Sequence, residues 1–183
     1  MKRALFILGL LLIALVSGFY QEKLKISINY IIDQGRTIPG FYESTPEQKH
    51  RSLELARVNA PFDYYHNHST VTWLFGFNQR ELSSIKWVVT VFFMVWFLAL
   101  NMGLLLALNA SKAAVGKLPF IYLLLFGASF AIYCVGIIGF YEAQCYAVSR
   151  KVMGALQSIV PTMVLFPASL LWGLKTKSST NPG

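Results

Sequence analysis

Four long apolar runs, residues 4–20, 85–108, 118–141 and 152–174, occupy about half of the chain, and the charges between them are sorted by side. A helix needs about 20 predominantly apolar residues to cross roughly 30 Å of hydrocarbon, and the last three runs each reach that length. A soluble core is excluded: 55% of the 183 residues are hydrophobic and only 13% are charged, and the apolar residues are gathered into runs instead of being spread at amphipathic spacing. The pattern predicts an all-α integral membrane protein, a four-transmembrane-helix bundle with one long outer loop containing a short interfacial helix.

The expected organisation is one membrane domain over residues 1–183. Its first span covers 4–20 and extends toward 34, followed by an outer loop 35–77, a second span 79–109 and an inner turn 110–117. A third span 118–141, an outer turn 142–151, a fourth span 152–174 and a polar tail 175–183, expected to be disordered, complete it. Lys2, Arg3, Lys112, Lys117, Lys175 and Lys177 fall in the two tails and the middle turn with no acid among them, whereas all 8 Asp and Glu lie in the other two connections. Cytoplasmic flanks retain Lys and Arg during insertion. Both termini and the 110–117 turn are therefore expected on the cytoplasmic side, with 21–84 and 142–151 outside.

The formal charge of +8 does not point to nucleic acid, because the six cations of the tails and middle turn orient the spans and the remaining ten of the 16 Lys and Arg face 8 acids. Membrane lipid and another integral membrane protein are the expected partners. Met1-Lys2-Arg3 followed by an apolar run ending at Val16-Ser17-Gly18 also has the form of a secretory signal. The stripe Leu24, Ile28, Ile31, Ile32 nevertheless continues at helical spacing past Gly18, which favours one uncleaved helix ending where Gly35 adopts a left-handed conformation.

Two capping boxes are written into the outer segment. Thr45-Pro46-Glu47-Gln48 places a hydroxyl before a proline at the first helical position, with Gln48 returning a bond, and a short helix to about Val58 follows. Asn78 with Glu81 repeats the device at the start of the second span. Between these helices the chain is aromatic, with Tyr64, Tyr65, Trp73, Phe75 and Phe77 expected at the outer interface, where amphipathic rings partition.

Candidate chemistry is sparse. Asp63, His66 and His68, with His50 nearby, have the composition of a zinc site, although hydrogen-bonding or headgroup-facing histidines fit the same pattern, and no cofactor or metal is assigned. Cys145 with Glu142, Gln144 and Arg150 beside it offers the start of a nucleophilic site, since a nearby cation lowers a thiol pKa; His50, His66 or His68 would be its base. Cys134 and Cys145 are separated by about 16 Å on a continuous helix, so a disulfide would require a break between them. Asn101 and Gln157 are the deepest polar side chains and are expected to bond between helices, and Pro161 and Pro167 to bend the fourth span.

The last third carries Phe140-Tyr141-Glu142, Tyr146 and Arg150-Lys151, leading into a helix with Pro161 and the segment Phe166-Pro167-Ala168-Ser169-Leu170-Leu171. In this it resembles small exosortase-associated membrane proteins of the Bacteroidetes type. The resemblance implies an accessory subunit beside a transpeptidase-like enzyme that processes surface-protein sorting signals in a bacterial inner membrane. It carries over no catalytic residues. Three functions remain open from the residues: a non-catalytic partner subunit, an outer-face enzyme using Cys145, and a binder of a lipid- or quinone-type molecule between helices. The first is the favoured expectation.

Overall fold

The computed structural model describes residues 2–59, 71–139 and 142–179. Six α-helices follow in order: α1 (Lys2–Thr37), α2 (Pro46–Asn59), α3 (Gln79–Ala107), α4 (Lys112–Ile138), α5 (Glu142–Leu156) and α6 (Val160–Ser179), with no strand among the described residues. α1, α3 and α4 are long and apolar enough to cross a membrane, and α5 with α6 passes the same test as a pair bent by 64°. The chain is an all-α membrane protein. Contacts divide it into two compact units, Phe19–Phe92 and the combination of Met1–Gly18 with Phe93–Gly183.

The first unit is a small domain built around the polar-flanked half of α1. Ile28, Tyr30, Ile31 and Ile32 of α1 bury against Phe41, Leu53 of α2, Leu74, Phe75 and Leu82 of α3. Both capping boxes form. The Thr45 backbone N–H donates to Gln48 Oε1 at 3.0 Å and the Gln48 N–H to Thr45 Oγ1 at 3.4 Å; the Asn78 N–H donates to Glu81 Oε2 at 2.8 Å and the Glu81 N–H to Asn78 Oδ1 at 2.9 Å.

Two expectations in this unit are corrected. Gly35 does not end α1, which continues to Thr37, and the left-handed glycine is Gly40, with φ 68°. Gly35 is used for close approach: a Cβ placed on it would lie 2.5 Å from the ring and hydroxyl of Tyr42. The aromatic run does not lie at a surface as a whole. In the 3-10 turn Thr72–Gly76, Leu74 and Phe75 point into the core, while Trp73 is 54% exposed and meets the half-buried Phe77 edge-to-face at 5.9 Å.

In the second unit α1 and α3 run antiparallel. The Arg3 guanidinium donates to the carbonyl of Ala107, Leu10 packs on Gly103, and Trp96 Nε1 donates to Ser17 Oγ at 2.9 Å. α4 begins at Lys112, earlier than expected, because Ser111 caps it by accepting from the Ala114 N–H at 3.2 Å. Only residues 108–111 turn the chain, with Asn109 at φ 56°.

The expected fourth span, 152–174, is not one helix. Residues 142–151, expected as an outer turn, form most of α5, and the chain breaks at residues 157–159 before α6 resumes. Pro161 is the second residue of α6, where its missing N–H costs no helical bond, so the bend arises from the break ahead of it. α6 also runs through Lys175 to Ser179, into the expected tail, where no Pro or Gly occurs between Lys175 and Pro182.

Candidate functional site

The most completely buried polar cluster lies where α5 and α6 part. Asn101, in the middle of the second unit's stretch of α3, is 0% exposed. Its Nδ2 donates to the Ser158 carbonyl at 2.8 Å, within 3.0 Å of the Tyr122 hydroxyl of α4, and lies 2.7 Å from the Phe97 carbonyl of its own helix. Its Oδ1 accepts from the Thr162 N–H at 3.2 Å and from the Thr162 hydroxyl.

This arrangement answers the question every broken helix poses in an apolar surrounding, namely what satisfies the freed backbone. The Val160 N–H donates to Ser158 Oγ at 3.2 Å, Pro161 has no N–H, Thr162 donates to Asn101, and the Met163 N–H reaches the Ile159 carbonyl at 3.1 Å. On the other side of the break the Ser158 hydroxyl donates to the Ala155 carbonyl at 2.7 Å. Asn101 therefore closes both ends of the break at once. Leu105, Val115, Leu118, Tyr122 and Leu156 form an apolar cluster that Tyr122 joins to it, and Gln157, next to Ser158 in the chain, is buried.

α5 packs antiparallel on α4. Ser129 Oγ donates to the Ser149 carbonyl at 3.1 Å, the two serine hydroxyls lie 2.8 Å apart, and Tyr133 meets Tyr146 edge-to-face at 6.3 Å. Cys145 and Arg150 both lie on α5, five positions apart. That separation is about 140° around the helix axis, so the two side chains leave on different faces. Cys134 and Cys145 are both free, although the helix does break between them.

The first unit holds a second polar feature that the sequence did not signal. Lys49 of α2 is 4% exposed, and its ammonium donates to the Phe75 carbonyl at 2.8 Å with the Phe41 and Tyr42 rings each 5.9 Å away. Burial holds its pKa below the ordinary lysine value, against an opposing pull from Glu81. Tyr42 is shifted upward, chiefly by burial, and its hydroxyl, like that of Ser27, has no hydrogen-bond partner among the described residues. His50 faces the Phe75 ring edge-to-face at 5.8 Å and lies 3.6 Å from Glu54. Asp63, Tyr64, Tyr65, His66 and His68 lie outside the described residues, among which no three His, Cys, Asp or Glu side chains gather.

Tyr122, Thr162 and Ser158 were missed by sequence reasoning because each is an ordinary residue in an apolar run. The helical character of residues 142–156 was legible in principle, since Tyr146, Ser149, Met153 and Leu156 recur at spacings of three and four. Comparison with family models, curated proteins and solved structures finds no match for the chain.

Proposed function

We propose that this protein is a non-catalytic subunit of a bacterial inner-membrane complex, crossing the membrane four times with both termini in the cytoplasm. The observation that carries this reading is the Asn101 cluster. Its amide donors and acceptor are directed at α3, α4 and the α5–α6 break, so this fully buried polar group holds helices together instead of facing a path or a substrate. Charged intramembrane groups that serve transport or catalysis face a cavity or a pathway; this neutral cluster faces its own backbone.

The proposed topology makes α5 and α6 one broken fourth span. It is supported by the bond from Arg3 to the Ala107 carbonyl, which brings the N-terminal cations beside the 108–111 turn that leads into Lys112 of α4, and by the segregation of cations from acids along the chain. An exosortase-type processing system is the narrower form of the proposal, supported by the resemblance of the final third alone.

Purification from native membranes in mild detergent tests the reading. Co-isolation of a second integral membrane protein in fixed ratio is expected, and an exosortase-like enzyme as that protein would support the narrower form. Recovery of an isolated monomer, under conditions that keep known complexes intact, would contradict the proposal.

A further inference from the structure

The outer surface of α5 presents Arg150 and Lys151, both exposed and neither hydrogen-bonded nor ion-paired among the described residues. The register of α5 on α4 fixes their level. Ser149 bonds Ser129, and Ser129 lies eleven residues beyond Leu118 along α4, about 16 Å of helical rise. The apolar stretch of α4 from Leu118 to Ile138 rises about 30 Å, a full hydrocarbon thickness. Ser129, and with it the neighbouring pair Arg150 and Lys151, stands near the middle of that stretch.

We propose that Arg150 and Lys151 form an intramembrane docking site for a transmembrane helix of another protein that carries a carboxylate. The inference rests on the membrane-subunit reading and names the face and the chemistry of the partner. A cation at mid-span is costly unless a counter-charge or water meets it. Within its own unit, Met1–Gly18 with Phe93–Gly183, the chain has one acid, Glu142, eight residues away along α5, and the same unit of a second copy adds no other.

Lipid phosphate fits less well than a carboxylate. Arg150 lies eight residues along α5 from Glu142, about 12 Å, which is farther than its three-methylene stem can snorkel to the headgroups. A carboxylate on a helix can stand at any depth. The flanking residues also fit a helix as occupant: Ala147, Lys151 and Gly154 recur at i, i+4 and i+7, and open space surrounds Gly154, where an added Cβ would meet nothing within 4 Å. Small residues on either side of a charge let a second backbone approach closely, and the planar fork of Arg150 suits a carboxylate.

The test places a photo-crosslinking residue at Ala147 of the full chain in native membranes, with Arg150 and Lys151 intact or replaced as R150Q/K151Q. The expected product is an adduct with an integral membrane protein that has Asp or Glu within a span. Its yield should fall about tenfold or more in the doubly neutral variant and recover in Arg150→Lys with Lys151 intact. Equal expression and equal behaviour in size-exclusion chromatography separate lost docking from lost folding. Adducts with phospholipid alone, adducts with a second copy, or an undiminished yield in R150Q/K151Q would overturn the inference. A partner that still co-purifies with R150Q/K151Q would overturn it while leaving the subunit reading intact; a wild-type chain that co-purifies with nothing would remove both.

Discussion

Asn101 and Thr162 are joined twice across the α5–α6 break, the Thr162 backbone N–H donating to Asn101 Oδ1 at 3.2 Å and its hydroxyl donating to the same oxygen. One side chain on α3 thus replaces the acceptor that an unbroken helix would have supplied from its own preceding turn. Because Asn101 Nδ2 also takes the Ser158 carbonyl, the bend is pinned from both directions.

Removing that side chain should loosen the break more than an ordinary polar-to-alanine change. Asn101→Ala is expected to lower stability by about 1–3 kcal/mol, the sum of several intramembrane hydrogen bonds of modest individual strength. Tyr122→Phe, which removes one partner, should lose less than about 1 kcal/mol. Thermal unfolding in detergent compares the two; equal effects would show that the network does not converge on Asn101.

Gly35 offers a test with the opposite sign to the usual rule. In a helix interior Gly→Ala normally stabilises by about 1 kcal/mol, but here the new Cβ would meet Tyr42 at 2.5 Å. Gly35→Ala is therefore expected to destabilise the first unit by about 1–3 kcal/mol, and Tyr42→Ala in the same chain should remove the penalty of the added methyl. Hydrogen exchange over residues 19–92 reads this out.

Neighbouring residues in the aromatic turn should differ sharply. Leu74, at 0% exposure, should cost about 2–5 kcal/mol as Leu74→Ala. Trp73, with half its surface open, should cost under about 1 kcal/mol as Trp73→Ala. Similar losses in both would mean that the turn is packed in another register.

Lys49 gives a pH dependence whose sign is fixed. Its folded pKa lies below the unfolded value of 10.5, so between the two values the unfolded chain binds more protons and stability rises with pH. The contribution is absent well below the folded pKa and complete above 10.5. Urea titrations of the wild type and Lys49→Met across the alkaline range should show this rise only in the wild type; parallel profiles would contradict it.

The helical class, the lengths of α1 and α3 and both capping boxes were legible because each depends on residues within one or two turns of each other. Thr45 with Gln48 and Asn78 with Glu81 need no tertiary information. Gly35 was misread because a glycine near a helix end serves equally for a left-handed turn or for close approach, and only the position of Tyr42, brought back by the turn at Gly40, decides between them. The fate of Phe75 was similarly hidden, since an aromatic run has the same composition whether it meets a bilayer or a core. A bend of the fourth span was expected from Pro161 and Pro167, whereas the chain breaks ahead of both, where its freed groups bond to Asn101, some sixty positions away. Arg150 and Lys151 were assigned to a turn because a basic pair reads as a flank; the bonding of Ser149 to Ser129 sets them on a helix beside the middle of α4.

Sidedness is the claim on which the rest depends, and thiol labelling of intact cells tests it most directly. In a chain with Cys134 and Cys145 replaced by alanine, an impermeant reagent should modify Thr45→Cys in intact cells but reach Ala113→Cys only after permeabilisation. Labelling of Ala113→Cys from outside, with Thr45→Cys protected, would invert the topology and contradict the account.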